Sequence, residues 1–239
     1  MSQKKLFVSI SLIFIFSEIL LGVLVQTTGG NLNTFVSFSA VVLCFLYSLF
    51  VLTKEKSSIL LSIGLFCTVM ADVFLVVLHA KYKTLAMVFF SITQIAYFIK
   101  IYLNQKQKIK ITHLIIRSIV IIIALIATVI VLKDKTDLLS LISLFYYANL
   151  VINIVFSFIV NEKNLLFSIG LIFFACCDLL IGFDIMASSY IELKEGTLFY
   201  FLANPGFNLA WVFYVPSQLL IALSGSVVIN KKVFSEKFH

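Results

Sequence analysis

The chain has 239 residues, of which 62% are hydrophobic and 12% charged, with a mean hydropathy of +1.12. Soluble domains carry about a quarter charged residues, so this composition excludes one and predicts an all-α polytopic membrane protein. The net charge of +7 is almost entirely lysine in short loops, which reads as topology and contact with anionic lipid heads, not nucleic-acid binding.

A bilayer core about 30 Å thick needs about 20 mostly apolar residues per spanning helix. Eight runs qualify, at residues 6–25, 34–53, 58–79, 84–103, 111–132, 138–160, 164–187 and 207–230. They are continuous instead of alternating, which fits helices and not barrel strands. The first run contains Glu18 and has no small-residue cleavage site, so it reads as a retained span and not a signal peptide. Breakers separate the runs, among them Thr27-Thr-Gly-Gly-Asn31 and Asn204-Pro-Gly206. The longer connection, residues 188–206, has room for a small surface element.

Thirteen of the 18 basic residues fall on the side of the N-terminus, including Lys100, Lys106, Lys108, Lys110 and Arg117, and five fall opposite. The positive-inside rule then puts both termini in the cytoplasm, and the expected location is the plasma membrane. The four cysteines lie inside apolar runs and lack metal-ligand spacing, so they read as packing residues. No metal and no cofactor are predicted.

Leu61-Ser-Ile-Gly-Leu-Phe-Cys-Thr-Val-Met-Ala-Asp72 is echoed by Phe167-Ser-Ile-Gly-Leu-Ile-Phe-Phe-Ala-Cys-Cys-Asp178, at an offset of 106 residues. Spans 1, 2 and 3 then map on spans 5, 6 and 7. Span 4 maps on span 8 once Thr93-Gln94 is set against Ser217-Gln218. The expectation is one membrane domain made of a tandem parallel repeat, residues 1–107 and 108–239, related by an axis along the membrane normal.

Charged groups inside a membrane helix are costly and mark sites of function. At about 1.5 Å per residue, Glu18, Asp72 and Asp178 lie roughly 10–14 Å below the outer boundary, and Gln94, Asn149 and Gln218 within about 15–17 Å. Six helices thus place their most polar group in one layer. Tyr146, Asn149 and Asn153 share one face of span 6. His79 follows Asp72 by seven residues, near the outer surface, whereas Asp184 points away from Asp178. Pro216 is expected to kink span 8 beside Gln218.

A buried carboxyl pair shares protons and titrates as a unit, so one member can donate while the other stays an anion. This suits a reaction that starts with protonation and passes through a cation. It also suits a proton-coupled secondary transporter, and a non-catalytic scaffold would use the aspartates as packing glue. No catalytic triad, zinc motif, phosphate loop or dinucleotide fingerprint is present.

An aspartate late in span 3, another late in span 7 and the segment Phe213-Tyr-Val-Pro-Ser-Gln-Leu-Leu-Ile221 resemble the YhhN family of lysoplasmalogenases, eight-helix membrane hydrolases. Ala71 and Cys177 precede the aspartates where that family usually has Gly and Ser, and Gln94 stands where it often has His. The resemblance implies hydrolysis of the vinyl ether bond of a lysophospholipid, releasing a fatty aldehyde and a glycerophospho-alcohol. One of Asp72 and Asp178 would deliver a proton to carbon while the other stabilises the oxocarbenium ion and orients water. Gln218 and Asn149 would hold the ether oxygen or water, with Gln94, Glu18 and Tyr146 completing the substrate site.

Overall fold

The computed structural model describes residues 3–160, 165–189, 194–203 and 207–235. It is all-helical there, and eight of its helices are long and apolar enough to cross a membrane. These are α1 (Gln3–Thr27), α2 (Gly30–Phe50), α3 (Lys56–Asp72), α4 (Lys83–Leu103), α5 (Gln107–Leu132), α6 (Leu138–Val160), α7 (Leu165–Ser189) and α9 (Leu209–Ser235). The short helix α8 (Leu198–Ala203) fills the longer connection and packs on α7.

Six helices close a ring in the order α2, α3, α4, α6, α7, α9 and back to α2. Helix α1 lies outside the ring against α2 and α9, and α5 lies outside against α6. The composition of these two explains their position. Both are almost uniformly apolar, and α5 exposes a run of isoleucines, including Ile115, Ile119, Ile122, Ile123 and Ile126, that suits lipid better than a protein neighbour.

Two glycines let the ring helices approach. A Cβ on Gly64 of α3 would lie 2.2 Å from the Tyr97 ring of α4, and the Gly64 carbonyl accepts the Thr93 hydroxyl at 3.1 Å. A Cβ on Gly170 of α7 would lie 3.1 Å from both the Ile221 nitrogen and the Ser217 oxygen of α9. Small residues are what bring membrane helices into such contact.

Helix ends are held by side chains. Asn33 donates to the Val25 carbonyl at 2.7 Å and the Thr28 carbonyl at 3.1 Å, closing the α1–α2 turn. Gln26 and the Asn208 backbone exchange two hydrogen bonds, fastening the end of α1 to the start of α9. Asp137 accepts the Ser140 N–H at 2.8 Å while its own N–H donates to Ser140 Oγ at 3.1 Å, a reciprocal cap for α6.

The third span departs from a uniform helix. It is α-helical only to Asp72, continues as a π-helical turn over Val73–Val77, and ends in a turn where His79 and Ala80 take left-handed φ values of 49° and 57°. The Leu78 N–H reaches back five residues to the Val73 carbonyl at 2.9 Å. The wider turn rotates everything beyond it, so His79 is exposed in the connection and shares no helix face with Asp72. Pro216 sits inside α9, which continues through it. The side chain of Asp184 lies outside what the structure describes, as do those of Lys4, Lys135, Lys163, Lys231, Lys232 and Lys237 from the basic count.

Candidate active site

Asp72 ends the α-helical part of α3, at the junction with the π turn. Single π turns inside helices are frequent at functional sites because they turn a side chain out of the regular register. Asp72 is buried, and its Oδ2 accepts the Tyr214 hydroxyl of α9 at 2.6 Å. Asp178 on α7 is half-buried, and its Oδ2 accepts the Tyr146 hydroxyl of α6. In each carboxyl Oδ1 is left free of its tyrosine.

The space around the two carboxyls is aromatic. Phe174, fully buried, lies 5.6 Å from the Tyr214 ring and 6.3 Å from the Tyr146 ring, with Phe90 packed 5.5 Å from Tyr146. Four helices of the ring, α3, α6, α7 and α9, therefore contribute one acid or one phenol each to a single cluster.

The amides expected nearby divide into two groups. Gln218 on α9 is buried with neither its Nε2 nor its Oε1 partnered. Gln94 on α4 is fully buried; its Oε1 and its carbonyl accept Asn153 Nδ2 at 3.0 and 2.9 Å, and its own Nε2 has no partner. Asn149 and Asn153 make their hydrogen bonds to other residues than the aspartates. Their Oδ1 atoms accept the Arg117 guanidinium, Asn153 at 2.6 Å. Glu18 is wholly buried on α1, with no nitrogen or oxygen donor on its carboxyl and the Cys44 thiol as its neighbour.

Arg117 corrects the reading of the basic patch. It is buried ten residues into α5, not in a connecting loop, and Lys100 is likewise buried, with its Nζ 3.7 Å from the centre of the Phe167 ring. Without these two the sequence count falls from thirteen to eleven basic residues, against five. Arg117 also donates to His113 Nε2 at 3.1 Å and lies 4.0 Å from the centre of the Phe98 ring. The signal was present in the sequence: His113 and Arg117 are four apart inside an apolar run, as are Asn149 and Asn153, and equal spacing puts each pair on one face. Tyr214 also belongs to the site, and its sequence offered no such signal beyond its place in the span-8 motif.

A family model matches residues 32–225, most of the chain and all or most of each ring helix. The chain belongs to the YhhN family. No curated protein and no solved structure matches it. Within this YhhN-family protein the matched region includes Asp72, Asp178 and both tyrosines, while all of α1, with Glu18, precedes it.

Proposed function

We propose that this YhhN-family protein is an intramembrane hydrolase that cleaves the vinyl ether bond of a lysophospholipid. The observation that carries the reading is the cluster inside the ring: two carboxyls from α3 and α7, each oriented by one tyrosine hydroxyl, among aromatic side chains. Vinyl ether hydrolysis requires a proton on carbon and then water on the resulting cation, a demand close to that of glycoside hydrolysis. Two carboxyl groups in a water-poor site supply both.

In this reading Asp72, the more buried residue of the two, delivers the proton and Asp178 orients water. The Asp72 proton goes to the vinyl carbon distal to the ether oxygen, and the double-bond electrons form that C–H bond. The adjacent carbon and the ether oxygen share the positive charge, facing the Asp178 carboxylate. Asp178 takes a proton from water as the water oxygen bonds to that carbon, giving a hemiacetal. Its collapse breaks the carbon–glycerol oxygen bond, the hydroxyl proton passes to the glycerol oxygen, and aldehyde and glycerophospho-alcohol leave. The proton held by Asp178 returns to Asp72. One water is consumed and nothing is oxidised or reduced. Gln218, with an unpaired amide, is suited to hold the ether oxygen or the water.

The test is aldehyde release from an alkenyl lysophospholipid by purified protein, against Asp72→Asn and Asp178→Asn. General acid–base contributions of this kind are about 10²–10⁴-fold, so each variant should lose at least about a hundredfold. Undiminished turnover in both removes the mechanism. Movement of the lipid without any covalent change would instead favour a transporter.

A further inference from the structure

Arg117 is the only arginine in the chain, and it is buried at the meeting of α4, α5 and α6. A buried charge is normally paired, yet its hydrogen bonds go only to neutral acceptors: Asn149, Asn153 and His113. Because the guanidinium donates to His113 Nε2, the imidazole is neutral with its proton on Nδ1, and the Gln105 amide 2.7 Å away must turn its oxygen to that proton to accept it. The histidine therefore adds no negative charge.

Donors exceed acceptors here. A guanidinium has five N–H groups; three bonds are made, and Nε has none. One carboxamide further on, linked through Asn153, the Nε2 of fully buried Gln94 is also without a partner. A positive charge with spare N–H donors in a low-dielectric setting is suited to an anion with several acceptor oxygens, and arginine matches the geometry of phosphate oxygens.

The position fits one anion in particular. Helix α6 carries Tyr146, which holds Asp178, and then Asn149 and Asn153, which hold Arg117. By helical rise these lie about 4.5 and 10 Å along the axis from Tyr146. In a glycerophospholipid five bonds separate the ether oxygen on one end of the glycerol from the phosphorus, about 6 Å at ordinary bond lengths. We infer that the Arg117 guanidinium, with the spare Gln94 amide beside it, binds the phosphate of the lysolipid whose ether bond lies at the aspartates. The choice of ligand rests on the hydrolase reading above.

Binding without turnover tests this separately from catalysis. The probes are a non-cleavable alkyl-ether lysophospholipid, the matching alkylglycerol that lacks phosphate, and inorganic phosphate, each titrated into the full-length protein in detergent. The readout is the fluorescence of Trp211, the single tryptophan, which packs 5.2 Å from the Tyr214 ring beside Asp72. Arg117→Gln should weaken the phospholipid by about tenfold or more and leave the alkylglycerol unchanged, with Arg117→Lys recovering part of the loss. Gln94→Glu keeps the size of the side chain, replaces the spare donor by a carboxylate, and should show the same selective loss even where Arg117→Gln folds poorly. Inorganic phosphate should compete with the phospholipid in the native chain and not in Arg117→Gln. Equal weakening of both ethers, or phosphate competition that survives Arg117→Gln, overturns the assignment. A protein that binds the phospholipid in this Arg117-dependent way but releases no aldehyde refutes the hydrolysis and keeps the site.

Discussion

Tyr214 donates its hydroxyl to Asp72 at 2.6 Å, joining two residues 142 positions apart in the chain. The bond holds one of the two carboxyl oxygens. Tyr146 does the same for Asp178 from α6. The two phenols are therefore positioning groups for the acid pair, and a hydrogen bond to a charged group contributes about 1.5–3 kcal/mol.

Tyr214→Phe and Tyr146→Phe keep the ring packing on Phe174 and remove only the hydroxyl. Each should lower kcat for aldehyde release by about tenfold to a hundredfold, the kinetic equivalent of that bond. A fall confined to KM in both variants would show that the phenols contact substrate instead of orienting the aspartates.

Gln218 offers a separation of stability from activity. Its amide is buried with both ends unpaired, a state that costs about 1–3 kcal/mol relative to an apolar side chain of similar shape. Gln218→Met should leave the thermal unfolding midpoint unchanged or raised while turnover drops, the trade-off expected of a polar group kept for function. A variant that is both less stable and fully active contradicts this.

Gly64 tests the packing that aligns α3. Alanine there must push the rigid, fully buried Tyr97 ring out of place, since its Cβ would lie 2.2 Å away. Overpacking of this kind costs about 1–3 kcal/mol, and Gly64→Ala should unfold at lower temperature by a corresponding amount. Gly182 has no heavy atom within 4 Å of such a Cβ, so Gly182→Ala is the matched control with no loss.

The pH dependence readable outside the membrane belongs to Asp137. The Ser140 backbone N–H holds its carboxyl below the usual carboxylate range, with the Ser140 hydroxyl contributing. A depressed carboxyl adds stability above its unfolded value, and that contribution is lost as pH falls through the folded one. The cap of α6 should therefore hold at neutral pH and loosen only on acidification past the ordinary value of about 3.9. An NMR titration of the Asp137 carboxyl reads this directly, and a midpoint at or above that ordinary value contradicts it.

Much of the architecture was legible in the chain because a bilayer imposes a simple condition. Each crossing must be long, apolar and helical, so the eight spans and their order follow from run length alone. The acid pair was legible for the same reason: a carboxyl in an apolar run stands out, and Asp72 and Asp178 do so at equal distances from Ser62 and Ser168. The π turn after Asp72 was not, because Val73–Val77 is as apolar as any α-helical stretch and only the hydrogen-bond register separates the two.

Which side chains meet is a different matter, and here the chain alone was silent. Asn149 and Asn153 share a face with Tyr146, so spacing assigned all three to one site. The fold instead gives the phenol to Asp178 and both amides to Arg117 on the outer helix α5. Helix periodicity determines which residues share a face, but the neighbour that face meets depends on the order of helices around the ring. That order arises from close approaches such as Gly64 on Tyr97, which involve residues distant in the chain. Composition and spacing thus determined the spans and the two acids, and tertiary packing alone decided that a tyrosine holds each acid and that the only arginine lies buried against Asn149 and Asn153.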